Sequence, residues 1–514
     1  MIKSRKLMSI LLVVAMLFTL AAPAMAEGET TEKVAITVSD DRTYEVYQIF
    51  TGDLHGGKLS NVVWGKNGTG TEGQAVPQET LNELAAKKDS TNDIEKLAVI
   101  KNYVQLENPI GTVNKNKTLE VASGYYLLKD VTTGVTGGQE LSTFVVEIVG
   151  DVTITPKVGE VTSQKKVKDT NDSVANSTTD TDWQDSADHD ITDEVQFQLT
   201  GTVTAKYDHY DKYYYAFHDK QSDGLTFKPE TVKVYVVNGE TRTEVAKTYY
   251  NVVTPGADAK CKFDERCTFE VVFADLKEIE VNDTAIVNKD SKIVVEYTST
   301  LNDNAVIGAA GNPNEMYLEY SNNPNWDGEG KGPTSETPED KVIVFTYQTV
   351  INKVDEKDEA LAGAEFTLEK KQADGEWEAI NVVETKPDTT FTFKGLDDGF
   401  YRLKETVTPA GYNTIDDIYF EITAAHDTES QDPKLTRLTA IQKTEENGNL
   451  EEGKVTFKPT YTLADGKIAT KVVNNSGATL PETGGIGTTI FYVVGGALVL
   501  GAAVLLVTRR RMAE

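Results

Sequence analysis

Short apolar and alternating runs, cut by turn residues, constrain this chain more than any other feature. Thr231-Val232-Lys233-Val234-Tyr235 and Val342-Ile343-Val344-Phe345 are examples, and clusters of Gly, Asn and Asp separate them. β-branched and aromatic residues at period two suit a pleated, half-buried surface, and the turn residues limit each run to strand length. Hydrophobic residues make up 39% of the 514, enough to bury several cores. The pattern predicts an all-β chain of tandem β-sandwiches. One stretch, about Glu79 to Gln105, reads as helical and is expected as a local insertion.

Both termini look like targeting segments. At the N-terminus, basic Lys3, Arg5 and Lys6 precede an apolar run from Leu7 to about Leu20, and Ala24-Met25-Ala26 offers a small-x-small cleavage site. Residues 1–26 are therefore expected to be a signal peptide. At the C-terminus, residues 485–508 carry no charge and are long enough to span a bilayer. The basic tail 509–514 begins with Arg509-Arg510-Arg511, which would stay cytoplasmic. Immediately before the apolar span stands Leu480-Pro481-Glu482-Thr483-Gly484. Motif, apolar span and basic tail in this order resemble the LPXTG cell-wall sorting signal of Gram-positive bacteria. The resemblance implies cleavage between Thr483 and Gly484 by a sortase, which holds the Thr483 carbonyl as a thioester and passes it to an amine.

The formal charge of −30 argues against binding nucleic acid or anionic lipid. Two cysteines and five histidines leave little material for metal or thiol chemistry, and no cofactor or metal is expected. Cys261 and Cys267 could close a short disulfide loop in an oxidising exterior. The Asp- and Asn-rich stretch 169–182 lacks the Gly and terminal Glu of a calcium loop and reads as a turn. His209 and His218 sit among tyrosines and read as packing residues.

Pro156-Lys157-Val158-Gly159 and the Gly- and Pro-bearing stretch 328–340 mark boundaries. They divide the body into domains 27–160, 161–348 and 349–479. Gly124-Tyr125-Tyr126-Leu127-Leu128-Lys129-Asp130 echoes Gly399-Phe400-Tyr401-Arg402-Leu403-Lys404-Glu405, so the outer two domains are expected to share a fold.

In the third domain, strand alternation puts Phe345, Tyr347, Ile351 and Lys353 in one phase, Tyr401, Leu403 and Glu405 in another, and Ile468, Val472 and Asn474 in a third. Each polar residue ends a largely apolar face. Asn475 is the alternative to Asn474, with Lys471 among its phase partners. Leu361-Ala362-Gly363-Ala364-Glu365-Phe366 and Glu405-Thr406-Val407-Thr408-Pro409-Ala410-Gly411-Tyr412 resemble the CnaB-type immunoglobulin-like domain, the second stretch being similar to the pilin E-box. The resemblance implies a side-chain amide between Lys353 and Asn474, assisted by Glu405. Burial would favour a neutral, nucleophilic Lys353 and a protonated Glu405 able to polarise the Asn carbonyl.

In the middle domain, Val161, Lys165 and Val167 share a phase, as do Tyr213, Tyr215, Phe217 and Asp219, and Asn314, Met316, Leu318 and Tyr320. Asp193-Glu194-Val195-Gln196-Phe197, Gly224-Leu225-Thr226-Phe227 and the run 318–324 resemble the isopeptide-forming D2 domain of major fimbrial subunits, a CnaA-like sandwich. The expected bond joins Lys165 to Asn314 with Asp219 assisting, and Lys166 competes for the lysine role. The first domain lacks such a set: Asp130 stands where Glu405 stands in the third, with no evident Lys partner.

Val152-Thr153-Ile154-Thr155-Pro156-Lys157 resembles the pilin motif, with Thr155 in place of the usual Tyr. In pilus shafts that Lys attacks the thioacyl Thr of the next subunit. Over nearly its whole length the chain is similar to major pilins of sortase-assembled pili. The implied partners are a sortase, identical subunits, minor pilins, peptidoglycan and a host surface ligand. The alternative is a wall-anchored adhesin or minor pilin, which would need the anchor and crosslinks but not Lys157. No catalytic carboxylate pair, serine elbow or metal signature points to an enzyme.

Overall fold

The computed structural model describes residues 33–87, 93–135, 137–155, 160–174, 183–254, 267–326, 330–380, 383–385, 388–445, 448, 454–477 and 486–511. Among them strands dominate, as the alternation predicts. They form three two-sheet units in chain order, each around its own apolar core.

In the first unit, Lys33–Val38 lies between Leu119–Ala122, antiparallel, and Val152–Ile154, parallel. The second sheet centres on Tyr44–His55 and Gly124–Asp130. Tyr126 and Leu128 alternate with Tyr125 and Leu127, and both sets are buried, because one face meets the small sheet and the other meets the helices. Those helices, Gln78–Ala86 and Asp93–Lys101, fall inside the predicted insertion, and Leu84, Leu97 and Ile100 pack with Tyr125 and Leu127. Asp130 does have a cationic partner, but it is an arginine: Arg42 Nη1 donates to Asp130 Oδ2 and to the Glu140 carbonyl, each at 2.6 Å. Arg42 stands in an Asp-rich turn and gives no periodic signal, so the sequence hides this pair.

The middle unit packs a six-stranded sheet against a seven-stranded one. Val195, Phe197 and Leu199 on one side meet Tyr215, Phe217 and Leu318 on the other in a single core. Glu140 of the first unit is fully buried against it and accepts from Thr204 Oγ1 at 2.6 Å and from the Tyr210 hydroxyl at 2.8 Å.

The chain passes to the third unit at Thr346. Asp340–Phe345 belongs to the middle sandwich and Tyr347–Asp355 to the next. The third unit has two five-stranded sheets around Phe366, Phe393, Tyr401, Leu403 and Phe420. Its first strand, Tyr347–Asp355, runs parallel to its last, Lys467–Asn474. The junction is close: Gly308 N donates to Thr346 O at 2.9 Å. A Cβ on Gly308, which has φ +95°, would meet Gly466 N at 2.4 Å, so the two backbones approach in a way that only glycine permits.

The junction is also ionic. Lys370 of the third unit, 1% exposed, donates to Asp190 Oδ2 of the middle unit at 2.5 Å and also to Asp397. In sequence Lys370 is one of several lysines on a polar strand, and nothing there marks it as buried. Beyond the body, Ile486–Arg511 forms one helix, and its apolar part is long enough to cross a membrane.

Candidate functional site: two buried Lys–acid–Asn sets

The middle unit brings Lys165, Asp219 and Asn314 together, all fully buried. Lys165 comes from Ser163–Lys168, Asp219 from Tyr215–Gln221 and Asn314 from Asn312–Ser321. The last two strands pair antiparallel, with Asp219 opposite Met316 and Gln221 opposite Asn314. Lys165 faces them from the other sheet. Its Nζ donates to Asp219 Oδ2 and lies 3.0 Å from the Tyr297 hydroxyl. Tyr297 donates to Asp219 Oδ2 at 2.8 Å and accepts from Asn314 Nδ2 at 2.9 Å. One hydroxyl therefore touches all three members. The rings of Phe197 and Tyr297, stacked 5.3 Å apart, each lie 5.6 Å from the ammonium.

This enclosure sets the protonation states. Burial pulls Lys165 below its ordinary value, against the attraction of Asp219. Burial likewise raises Asp219, against the ammonium. Both shifts favour the neutral pair, a free amine beside a carboxylic acid. Lys166 points the other way, to Asp185 at 2.8 Å and to Glu429 of the third unit at 3.0 Å. Although burial opposes it, those carboxylates raise its pKa and keep it charged. Lys165 sits on the first strand of its unit. Asn314 does not sit on the last, because Thr334–Glu336 and Asp340–Phe345 follow it.

In the third unit Lys353 is 1% exposed and Asn474 fully buried, while Glu405 is half-buried. Parallel pairing sets Lys353 opposite Val472 and Asp355 opposite Asn474. Lys353 Nζ donates to Val354 O at 2.9 Å and Val472 O at 3.1 Å. Asn474 Nδ2 donates to Glu405 Oε2 at 3.0 Å and to Asn413 O at 2.9 Å. Thr408 Oγ1 and Ile415 N also donate to Glu405 Oε2. Glu405 Oε1 and Asn474 Oδ1 are buried without a hydrogen-bond partner. Burial lowers the Lys353 pKa, opposed by Glu405 and Asp355. Asn475 is exposed, and its carbonyl accepts from Asn413 N at 3.0 Å.

Tyr297 is the participant that periodicity misses. It lies in Lys292–Leu301, whose alternation reads as ordinary core, and only the cross-strand register reveals its polar end. Lys157, Cys261 and the motif Leu480, Pro481, Glu482, Thr483 and Gly484 lie outside the described residues. The strand Val152–Ile154 ends just before Lys157, and Glu160 bridges back to Gln139 just after it.

Comparison with known proteins bears on both the third unit and the C-terminus. Residues 472–514 match the LPXTG cell wall anchor motif. The chain is a wall-anchored surface protein of a Gram-positive bacterium. Residues 348–435 match the SpaA prealbumin-like fold domain. A curated relative, the trypsin-resistant surface T6 protein of Streptococcus pyogenes serotype M6, is 30% identical over 267 residues, covering 43% of this chain. The match spans about half, 48%, of that relative's length. Among solved structures, the T6 backbone pilin of serotype M6 S. pyogenes, described as a modular three-domain structure, superposes with a TM-score of 0.50. It is 18% identical, and the match covers 88% of this chain and 100% of that one. The full-length major pilin SpaD of Corynebacterium diphtheriae gives a TM-score of 0.43 at 16% identity, covering 88% and 100%. The T6 likeness establishes the architecture of the wall-anchored protein as tandem β-sandwiches.

Proposed function

We propose that this chain is the backbone subunit of a covalent pilus. A sortase would cleave after Thr483, release Gly484 as the new amine and hold the Thr483 carbonyl as a thioester. The Lys157 amine of another subunit would then displace the enzyme thiolate and form an amide. Head-to-tail joining of one patch to a different patch builds an open filament.

The observation that carries this reading is a buried Lys with an acid and an Asn in each of two consecutive domains: Lys165, Asp219 and Asn314 joined through Tyr297, and Lys353 within the field of Glu405, which is bonded to Asn474. A shaft under tension needs domains that do not unfold, and a covalent tie between strands supplies that resistance. In each set the Lys Nζ would attack the Asn Cγ. The acid would lend its proton to the carbonyl oxygen, and the proton that the amine loses on forming the new C–N bond would pass to the carboxamide nitrogen. The old C–N bond would break to release ammonia, and the acid would regain its proton as the carbonyl re-forms. The chain is then a structural protein that reacts with itself once and does not turn over. Lys165 and Asn474 are preferred over Lys166 and Asn475, because Lys166 is ion-paired and Asn475 is exposed.

Coexpression with the sortase from its own genome tests the proposal. The wild type should give multimer ladders that survive boiling in detergent, and Lys157→Ala should abolish them while leaving monomer attached to the wall. Branched peptides joining Thr483 to Lys157 should appear in the ladder. Normal ladders from Lys157→Ala would defeat the Lys157 assignment. If the wild type forms no ladder, the chain is an adhesin instead of a shaft subunit.

A further inference from the structure

Among the described residues, three acidic or mixed clusters stand outside the two Lys–Asn sets: Asp172–Asp190–Asp193–Asp397, Asp169–Asp188–His426, and His218–Cys267–Glu270. The first already holds the Lys370 ammonium. In the second, His426 lies between two aspartates, Nε2 being 3.4 Å from Asp169 Oδ2 and 3.5 Å from Asp188 Oδ1. The third differs in donor chemistry, because it offers one nitrogen, one sulfur and one oxygen.

His218 lies on the face of Tyr215–Gln221 opposite Phe217 and Asp219, so it points away from the sandwich core. Cross-strand register sets it against Glu270 on one side and Tyr317 on the other. The Tyr317 ring stacks on the imidazole at 4.5 Å and fixes its plane. Nδ1 lies 3.2 Å from Glu270 Oε1 and 3.8 Å from Cys267 Sγ. At the other ring edge, Nε2 lies 3.4 Å from Glu319 Oε2. Glu319 is held in turn by Lys331 and by Thr334 Oγ1 at 2.6 Å. All three candidate ligand residues are buried.

We propose that His218 Nδ1, Cys267 Sγ and Glu270 Oε1 form a zinc-binding site on the outer face of the middle domain's seven-stranded sheet. Composition alone predicts no metal; the fold brings the scarce ligands together. In a tetrahedral zinc site with ordinary bond lengths, N and O ligands stand about 3.4 Å apart and N and S about 3.6 Å. The observed separations straddle those values within a few tenths of an ångström. The donor set is of the mixed N, S, O type that zinc accepts. Glu319 occupies the supporting position, facing Nε2–H as its acceptor so that Nδ1 presents its lone pair to the metal. Charge also balances: the thiolate and Glu270 neutralise a divalent cation, and Lys331 neutralises Glu319. A metal here would tie Cys267, on the approach to Phe269–Phe273, to the neighbouring strand Tyr215–Gln221, which also carries Asp219.

The test uses the full-length chain in detergent under reducing conditions, loaded with zinc chloride and dialysed against metal-free buffer. Wild type should retain about one zinc per chain. Cys261→Ser, which cannot form a disulfide with Cys267, should retain it too. His218→Ala and Cys267→Ser should lose it, and Glu319→Gln should weaken it about 10–100-fold. Cobalt(II) in place of zinc should give a thiolate-to-metal charge-transfer band that disappears in Cys267→Ser. That readout holds even if His218→Ala does not fold. No stoichiometric zinc in either the wild type or Cys261→Ser, or a cobalt complex without the thiolate band, overturns the proposal.

Discussion

The Tyr297 hydroxyl donates to Asp219 Oδ2 at 2.8 Å, on the same oxygen that receives Lys165 Nζ. It also accepts from Asn314 Nδ2, which orients the carboxamide in the enclosure. A hydroxyl has one proton to donate and two lone pairs, and here each is used. Tyr297→Phe keeps the ring that stacks on Phe197 but leaves Asn314 Nδ2 without that acceptor, a loss of about 1–3 kcal/mol. The Lys165–Asn314 bond should therefore form more slowly in this variant, while the domain still folds. A mass time course after refolding checks this: ammonia loss at the wild-type rate would mean that the hydroxyl only packs.

Two amides formed from carboxamides release two ammonia molecules. Residues 27–479, folded and measured intact, should fall short of the sequence mass by that amount. Asp219→Ala should restore one ammonia and Glu405→Ala the other, because each carboxyl serves its own set. A variant that keeps the full deficit would show that its carboxyl does not assist, and a mass equal to the sequence in the folded wild type would remove both bonds.

The Lys353–Asn474 bond would join the first and last strands of the third unit, which already lie parallel and in register. Such a link limits the unfolded chain as a disulfide does. By that analogy Lys353→Ala should cost roughly 2–5 kcal/mol and make the domain trypsin-sensitive. Removing a buried Lys also leaves a void, so Glu405→Gln is the fairer comparison: it keeps Lys353 and the side-chain shape but cannot supply the proton. Both variants should melt earlier than the wild type in the same calorimetric scan. Unchanged melting of Glu405→Gln would assign the loss in Lys353→Ala to the void.

How much of this was legible in the sequence follows from the physics of strands. Period-two alternation fixes which residues share a face, so Lys165, Lys353, Asp219, Glu405, Asn314 and Asn474 could each be assigned to a phase before any sheet was known. Alternation says nothing about which strands become neighbours across a core. Tyr297 was therefore invisible, since a Tyr among Val and Ile reads as packing whether or not its hydroxyl has work. Lys370 and Glu140 were hidden for a related reason: each is buried by a neighbouring domain, and a surface charge pattern carries no trace of what will cover it. The His218, Cys267 and Glu270 cluster needs two strands in exact register, and only Cys267 and Glu270 are near each other in sequence.

The junction between the second and third units should loosen in alkali. His426, on the third unit, reaches Asp169 and Asp188 of the second through Nε2 and Ser186 Oγ through Nδ1 at 2.8 Å. The Phe345 ring lies 5.9 Å away on the remaining side. Burial pulls the imidazole pKa down, but hydrogen bonds and charge from the two aspartates outweigh it and raise the value from 6.5 to about 10. A folded-state pKa above the unfolded one means that the folded protein holds the proton more tightly. The stabilisation is therefore complete below 6.5 and is lost as the pH rises through about 10. Asp185 N donates to Thr428 O at 2.8 Å and Ile191 N to Gly395 O at 3.1 Å, both across the junction. Opening of those two amides, followed by hydrogen exchange and corrected for the intrinsic rate at each pH, should become easier over that window in the wild type. His426→Gln cannot carry the charge, so its junction should open more readily at neutral pH and change little with alkali. Equal alkaline sensitivity in the two proteins would show that His426 does not hold the domains together.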